Sequence, residues 1–287
     1  MTFRHMVFIA PALAIASLAA ASLAWAQSSP NGPGAIQDIA SRSQCAAHVW
    51  AHRGLAPKTY INGVALVFAR AVCHPEREDV KVVSAAADPA SNSNDALVAY
   101  RREFAAAHMD NGTAGVDTLR HAYALLIGLG MSESSGKYCE GRDVSECFAT
   151  ANTAEAGLFQ TSFGARVHSP ALGNLFAAYK ANGAPCLLDV FKDSITCRIV
   201  PSHNPKCPNE NSDVKGTGDG ADWQRLTKVC PAFAAEYGAV VLRRNGGARG
   251  EFGPIREHQT ELRPECDAML RSVQDFVRQH PDVCSSL

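Results

Sequence analysis

The run Val116-Asp117-Thr118-Leu119-Arg120-His121-Ala122-Tyr123-Ala124-Leu125-Leu126-Ile127-Gly128-Leu129-Gly130-Met131-Ser132-Glu133-Ser134-Ser135-Gly136 decides how this chain is read. Leu119, Tyr123, Leu126, Gly130 and Glu133 follow one another at steps of four, three, four and three. That is one face of an α-helix. Asp117 near its start suits the positive end of the helix dipole, and Ser134-Ser135-Gly136 supplies a stop. Glu133 therefore ends the helix on its apolar stripe. A carboxylate at the edge of a core is costly. Burial and the negative end of the dipole both disfavour its charged form and raise its pKa.

Outward from this helix, the same spacing recurs. Val64, Leu66, Val67, Phe68 and Val72 predict a helix over 60–72, and Leu97, Tyr100 and Phe104 one over 96–108. Further helices are predicted over 171–181, 187–192, 223–243 and 264–280. Residues 137–170 and 201–222 are rich in Gly, Asn, Asp and Pro and read as loops. Residues 27–36 read as a mobile leader, with prolines at 30 and 33 and glycines at 32 and 34. Alternating strand patterns are scarce. The expected fold is mainly α, a helical domain with a loop-dense lobe.

The first residues predict export. Arg4 precedes an apolar run from Val7 to Leu23, and Ala24-Trp25-Ala26 is a small-x-small cleavage signal. The expectation is a signal peptide over 1–26 and a mature domain over 27–287, periplasmic or extracellular. No later run is apolar and long enough to span a bilayer, so no membrane partner is expected after cleavage. Lys plus Arg number 27 and Asp plus Glu 28, which disfavours a nucleic-acid binder relying on overall basicity. The ten cysteines all lie between Cys45 and Cys284, an even number in an exported chain. Disulfides are the natural reading. There is no Cys-x-x-Cys, so zinc is disfavoured. Cys139 and Cys147 bracket the loop after Glu133, and a bridge between them is expected to stiffen it. The remaining pairings are not deducible.

A second string, Ala154-Glu155-Ala156-Gly157-Leu158-Phe159-Gln160-Thr161-Ser162, follows about twenty residues on. With Glu133-Ser134-Ser135, it resembles the lysozyme-like superfamily, in particular the lytic transglycosylase and goose-type lysozyme branch. Those proteins end a helix in a catalytic Glu followed by Ser and a small residue. They then line a sugar cleft with Gly-Leu-Met/Phe-Gln. The match covers about residues 115–180. A weaker echo lies at Phe252-Gly253-Pro254-Ile255, where the family often has a tyrosine. The flanks, 27–110 and 185–287, do not obviously match.

The resemblance implies a lysozyme-like α+β fold and a glycan-cleaving enzyme acting on β-1,4 bonds of peptidoglycan. Glu133 is the implied general acid/base, and Ser134, Gly157, Leu158, Phe159 and Gln160 the implied substrate contacts. The chemistry agrees, because glycosidic cleavage needs a carboxylic acid still protonated at working pH. Gly157 would permit close backbone approach to a ligand. Gln160 would offer a donor and an acceptor. Phe159 or Phe163 would stack on a sugar or pack in the core. A second carboxylate would come from Glu155, Glu140, Asp143 or Glu146, with Glu155 best placed. No cofactor and no metal are called for. Chitin or chitosan is the rival polymer, and a non-catalytic secreted glycan-binding protein is the rival class. Trp223 would be core or a sugar platform. His48-Val49-Trp50-Ala51-His52 lacks the Glu of a zinc-protease motif, and Lys215-Gly216-Thr217-Gly218-Asp219-Gly220 is neither a phosphate loop nor a complete calcium loop.

Overall fold

Val116–Ser134 is a helix (numbered α7 below), and its environment is more enclosed than one apolar stripe suggests. Every side chain from Thr118 to Met131 is buried. Helices pack around it from several sides, and a helix surrounded this way needs apolar residues all round. The computed structural model describes residues 32–287 apart from 91, 182, 183, 193, 194, 200 and 209. The export signal over 1–26 and the leader up to Asn31 lie outside the described residues.

The chain enters through α1 (Pro33–Ser41), α2 (Gln44–Ala47) and a two-stranded hairpin, β1 (Val49–Trp50) with β2 (Gly54–Leu55). Then come α3 (Lys58–Cys73), α4 (Glu78–Val83), α5 (Ala96–Ala99), α6 (Arg101–Ala106) and α7. A second hairpin, β3 (Glu155–Ala156) with β4 (Thr161–Ser162), is followed by a 3-10 turn over Phe163–His168. The remainder is α8 (Pro170–Lys180), α9 (Leu188–Phe191), α10 (Asp219–Val229), α11 (Pro231–Asn245), α12 (Gly253–Arg256), α13 (Pro264–Gln279) and a closing 3-10 turn over Pro281–Ser286. The architecture is mainly α, as expected, with strands of only two residues.

Four expectations are corrected. Residues 33–36 are not leader but the start of α1. Pro33 sits in its first turn, where its fixed φ favours a helix, and Ile36 and Ala40 bury one face. The helix over 96–108 is broken at Tyr100 into α5 and α6. The helix over 223–243 is two helices, because Pro231 cannot continue α10 but can start α11. Cys139 and Cys147 do not pair with each other. Cys139 bonds Cys197 and Cys147 bonds Cys207, so two bridges tie the loop after Glu133 to a distant loop.

The remaining bridges are Cys45–Cys266, Cys73–Cys284 and Cys186–Cys230. The first two span 221 and 211 residues and staple the α1–α3 region to α13 and the C-terminus. Five disulfides fit an oxidising, extracytoplasmic setting. Among the described residues, no helix is long and apolar enough to cross a membrane.

One continuous core runs from Ile36 to Val283 and includes Trp223, which is fully buried against Phe233 and Tyr237. Buried charges within it are paired. Arg70 lies 2.8 Å and Arg77 2.7 Å from Glu236, Arg120 2.6 Å from Asp267, and Arg243 2.9 Å from Asp95.

Candidate functional site

Two features of the C-terminal turn of α7 set the stage. Ser135 adopts the left-handed conformation at φ 56°, and Gly136 follows at φ 72°. The Gly136 N–H bonds Gly130 O and the Ser135 N–H bonds Met131 O, the paired closure that ends many helices. Gly130 lets the helix pass close to its neighbours. A Cβ there would come within 2.3 Å of the Tyr60 hydroxyl and 2.9 Å of the Phe159 ring. Glu133 is thereby fixed in the last turn, where its carboxyl lines a cavity of about 350 Å³.

The opposite wall is the β3–β4 hairpin. Glu155 stands across from Ser162, and Ala156 across from Thr161. The connecting turn closes with the Gln160 N–H donating to Gly157 O at 3.2 Å. Glu155 and Gln160 line the same cavity as Glu133. Its remaining walls come from the disulfide-tied loops, including Glu140, Asp143 and Asp213. Arg142, 5% exposed, locks these loops together by bonding Ser212 O and pairing with Glu210 at 2.8 Å.

A third carboxylate completes the group. Glu251 accepts the Ser162 N–H at 2.5 Å, which joins the segment before α12 to the strand that faces Glu155. Burial pushes the Glu133 carboxyl up to about 7, against the opposing charges of Arg53 and Arg256, and the negative charge of Glu251 adds to the rise. Burial likewise raises Glu155 to about 8, aided by Glu251, Glu146, Glu133 and Asp143. Glu251 is raised by burial to about 7, despite hydrogen bonds from Ser162 and Asn245. Among the described residues, no hydrogen-bond donor and no ion-pair partner contacts the Glu133 or Glu155 carboxyl. The chemistry available is that of weak acids that hold a proton near neutral pH and release it to a group entering the cavity.

The structure assigns different work to several residues expected to touch substrate. Ser134 is 4% exposed, and its hydroxyl donates to Gly130 O at 3.0 Å within the helix. Leu158 and Phe159 are 0% and 1% exposed and turn into the core, where Phe159 packs beside Gly130 and Gly238. None of these three lines the cavity, and in this structure they hold the turn in place. Gly157, at φ 82°, admits close approach by the protein itself, because a Cβ there would meet Thr227 Oγ1 at 2.5 Å. Gln160 spends both amide donor bonds on the backbone, at Gly141 O (3.0 Å) and Gly157 O (2.9 Å). Its amide oxygen accepts no hydrogen bond among the described residues. Phe163 is buried edge-on to Phe176, and Phe252 is buried as well. Glu140 and Asp143 line the cavity, whereas Glu146 is exposed and outside its lining.

Sequence reasoning missed Glu251 and Arg53. Glu251 immediately precedes Phe252-Gly253-Pro254-Ile255, the weaker echo, so a search around that string for a carboxylate would have found it. Arg53 carries no motif. It sits at the β1–β2 turn and donates through Nη2 to Ser132 O at the end of α7. His48 bonds Glu261 at 3.0 Å, and the His48–His52 segment forms the first hairpin rather than a helix that would stack the two rings. Among the described residues, no group of three or more His, Cys, Asp or Glu side chains is arranged to hold a metal. Comparison of the chain with protein-family models, with curated proteins and with solved structures returned no match.

Proposed function

We propose that this chain is an exported glycan-cleaving enzyme of lysozyme-like fold, acting on the β-1,4 bonds of peptidoglycan with Glu133 as general acid and then base. The observation that carries the reading is the state of Glu133. Its carboxyl ends a buried helix, faces a cavity, and is raised by burial to about 7. It is therefore protonated where an ordinary glutamate has lost its proton. Glu155 and Gln160, both from the second motif, line the same cavity.

In the first step the Glu133 proton passes to the glycosidic oxygen as the bond to the anomeric carbon breaks, and the leaving sugar departs as an alcohol. Positive charge develops on the ring while Glu133 becomes a carboxylate. That new negative charge, among the carboxyls of Glu155 and Glu251, favours the cationic ring electrostatically. In the second step the Glu133 carboxylate takes a proton from the attacking hydroxyl, which bonds to the anomeric carbon. The attacker is water in a hydrolase and the sugar's own 6-hydroxyl in a lytic transglycosylase.

The test is incubation of the protein and its Glu133→Gln variant with purified peptidoglycan and, in parallel, chitin oligomers, with products read by mass spectrometry. Glu133-dependent muropeptide release is expected. Anhydro-sugar ends would identify the lytic outcome and reducing ends the hydrolytic one. Cleavage of chitin oligomers alone would move the substrate to that polymer. Absence of any Glu133-dependent product, across several wall types and acid to neutral pH, overturns the reading.

A further inference from the structure

A second hollow adjoins Glu133 on the side away from the loop lobe. It measures about 620 Å³ and is formed by the first hairpin, the end of α7 and the segment around α12. Ser132 and Met131 line it, whereas Glu133 lines the cavity described above. Successive residues on a helix point about 100° apart, so the two hollows lie on adjacent sides of one helix end. Arg53, which lines the second hollow, is near enough for its charge to act on Glu133, so the two hollows meet around that carboxyl.

The chemistry of this groove is unbalanced in one direction. Its only carboxylate among the described residues, Glu261, is already engaged by His48 at 3.0 Å, by the Ala51 N–H at 2.6 Å and by Arg263 at 3.7 Å. Arg53 is not balanced in this way. It is exposed, and among the described residues its side chain forms no ion pair and a single hydrogen bond, to the neutral carbonyl of Ser132. A guanidinium offers five donors suited to a carboxylate fork, so most of its hydrogen-bonding capacity is unused, while its charge acts at longer range on Glu133 and Glu140. Trp50 adds a second unmet group. Its side chain lines the groove, it is 2% exposed, and its indole N–H has no acceptor.

We propose that this groove, which adds the first hairpin and the segment around α12 to the end of α7, holds the half of the glycan that carries a carboxylate substituent, and that Arg53 reads that carboxylate. The inference rests on the glycan-cleaving reading of Glu133 and narrows its substrate to an acidic amino-sugar polymer over a neutral one. It also accounts for a cation placed next to a proton donor. Arg53 pulls the Glu133 carboxyl downward in the free protein, and a docked carboxylate offsets that charge.

Calorimetric titration on the Glu133→Gln background separates binding from turnover. Three probes are used: a peptide-free peptidoglycan tetrasaccharide with its lactyl carboxylates, the same tetrasaccharide bearing stem peptides, and neutral chitotetraose. Adding Arg53→Gln is expected to weaken acidic-probe binding by about tenfold or more and chitotetraose binding by less than about twofold. Arg53→Lys is expected to recover part of the loss, which separates charge from misfolding. Weakening on the peptide-free probe assigns the lactyl carboxylate, and weakening confined to the stem-bearing probe assigns the peptide's. Equal weakening on acidic and neutral probes, or none on any, overturns the proposal and leaves Arg53 as a tie to Ser132. If the Glu133→Gln protein binds no probe at all, the glycan-cleaving reading falls, and this proposal with it.

Discussion

The helical body and the cleft treat buried carboxylates in opposite ways. In the body, burial by itself would push Glu236 up, yet the charges of Arg70 and Arg77 and hydrogen bonds from Arg77 and Tyr179 together bring it below its ordinary value. At the cleft, Glu133, Glu155 and Glu251 are half-buried without an arginine in contact and are raised to about 7, 8 and 7. Glu236 lies deeper than these three and would be raised furthest by burial alone, so its partners make the difference. A paired carboxylate serves the fold as a fixed anion; an unpaired one costs stability and gains a titratable proton.

That contrast can be broken from either side. The largest expected effect is on catalysis. Glu133→Gln is expected to lower turnover of peptidoglycan by on the order of 10³-fold, with urea midpoints close to the parent's. A large stability loss would mean that Glu133 is a structural anion after all. The converse substitution, Glu236→Ala, leaves Arg70 and Arg77 without their shared partner in the core. Urea unfolding is expected to show a loss of about 3–5 kcal/mol.

Next is the dependence of stability on pH. The folded-state pKa of Glu155 lies above its ordinary value of 4.5, at about 8. Its contribution is therefore fully present below about 4.5 and is lost as pH rises through about 8. Between these limits the parent should lose stability that Glu155→Gln retains, by a few kcal/mol in parallel urea titrations. Identical pH profiles would place Glu155 among ordinary solvated acids.

Gly157→Ala probes the wall that carries Glu155. The new Cβ meets Thr227 and must adopt φ near 82°, so a loss of about 1–3 kcal/mol is expected, measurable as a lowered Tm. The smallest effect concerns coupling within the cleft. Because Glu251 helps to raise Glu133, Glu251→Gln is expected to move the alkaline limb of kcat toward lower pH by a fraction of a unit. A shift toward higher pH would reverse the electrostatic account.

Much of the body was legible beforehand because its signal is local. The residues of α3, α7 and α13 repeat with helical period, and each helix formed close to its expected limits. Where two helices abut, periodicity alone misled, as at Cys230-Pro231, because the apolar spacing continues across a break that the proline imposes. In the cleft, the pair Glu133 and Gln160 was legible, and so was Glu155. The inward turn of Leu158 and Phe159 was not, because a Gly-Leu-Phe-Gln string reads the same whether its apolar residues meet a ligand or the flank of α11.

The sequence by itself determined a mainly helical chain, a glutamate at the end of its central helix, and cysteines numerous enough for a disulfide framework. These follow from spacing and composition, which need no knowledge of distant segments. Tertiary structure decided the rest. It paired Cys139 with Cys197 and Cys147 with Cys207 across 58 and 60 residues. It also brought Glu251 to Ser162 across 89 residues and Arg53 to Ser132 across 79. A carboxylate's proton affinity depends on what surrounds it within a few ångströms, and in this protein those neighbours come from segments far apart in the chain.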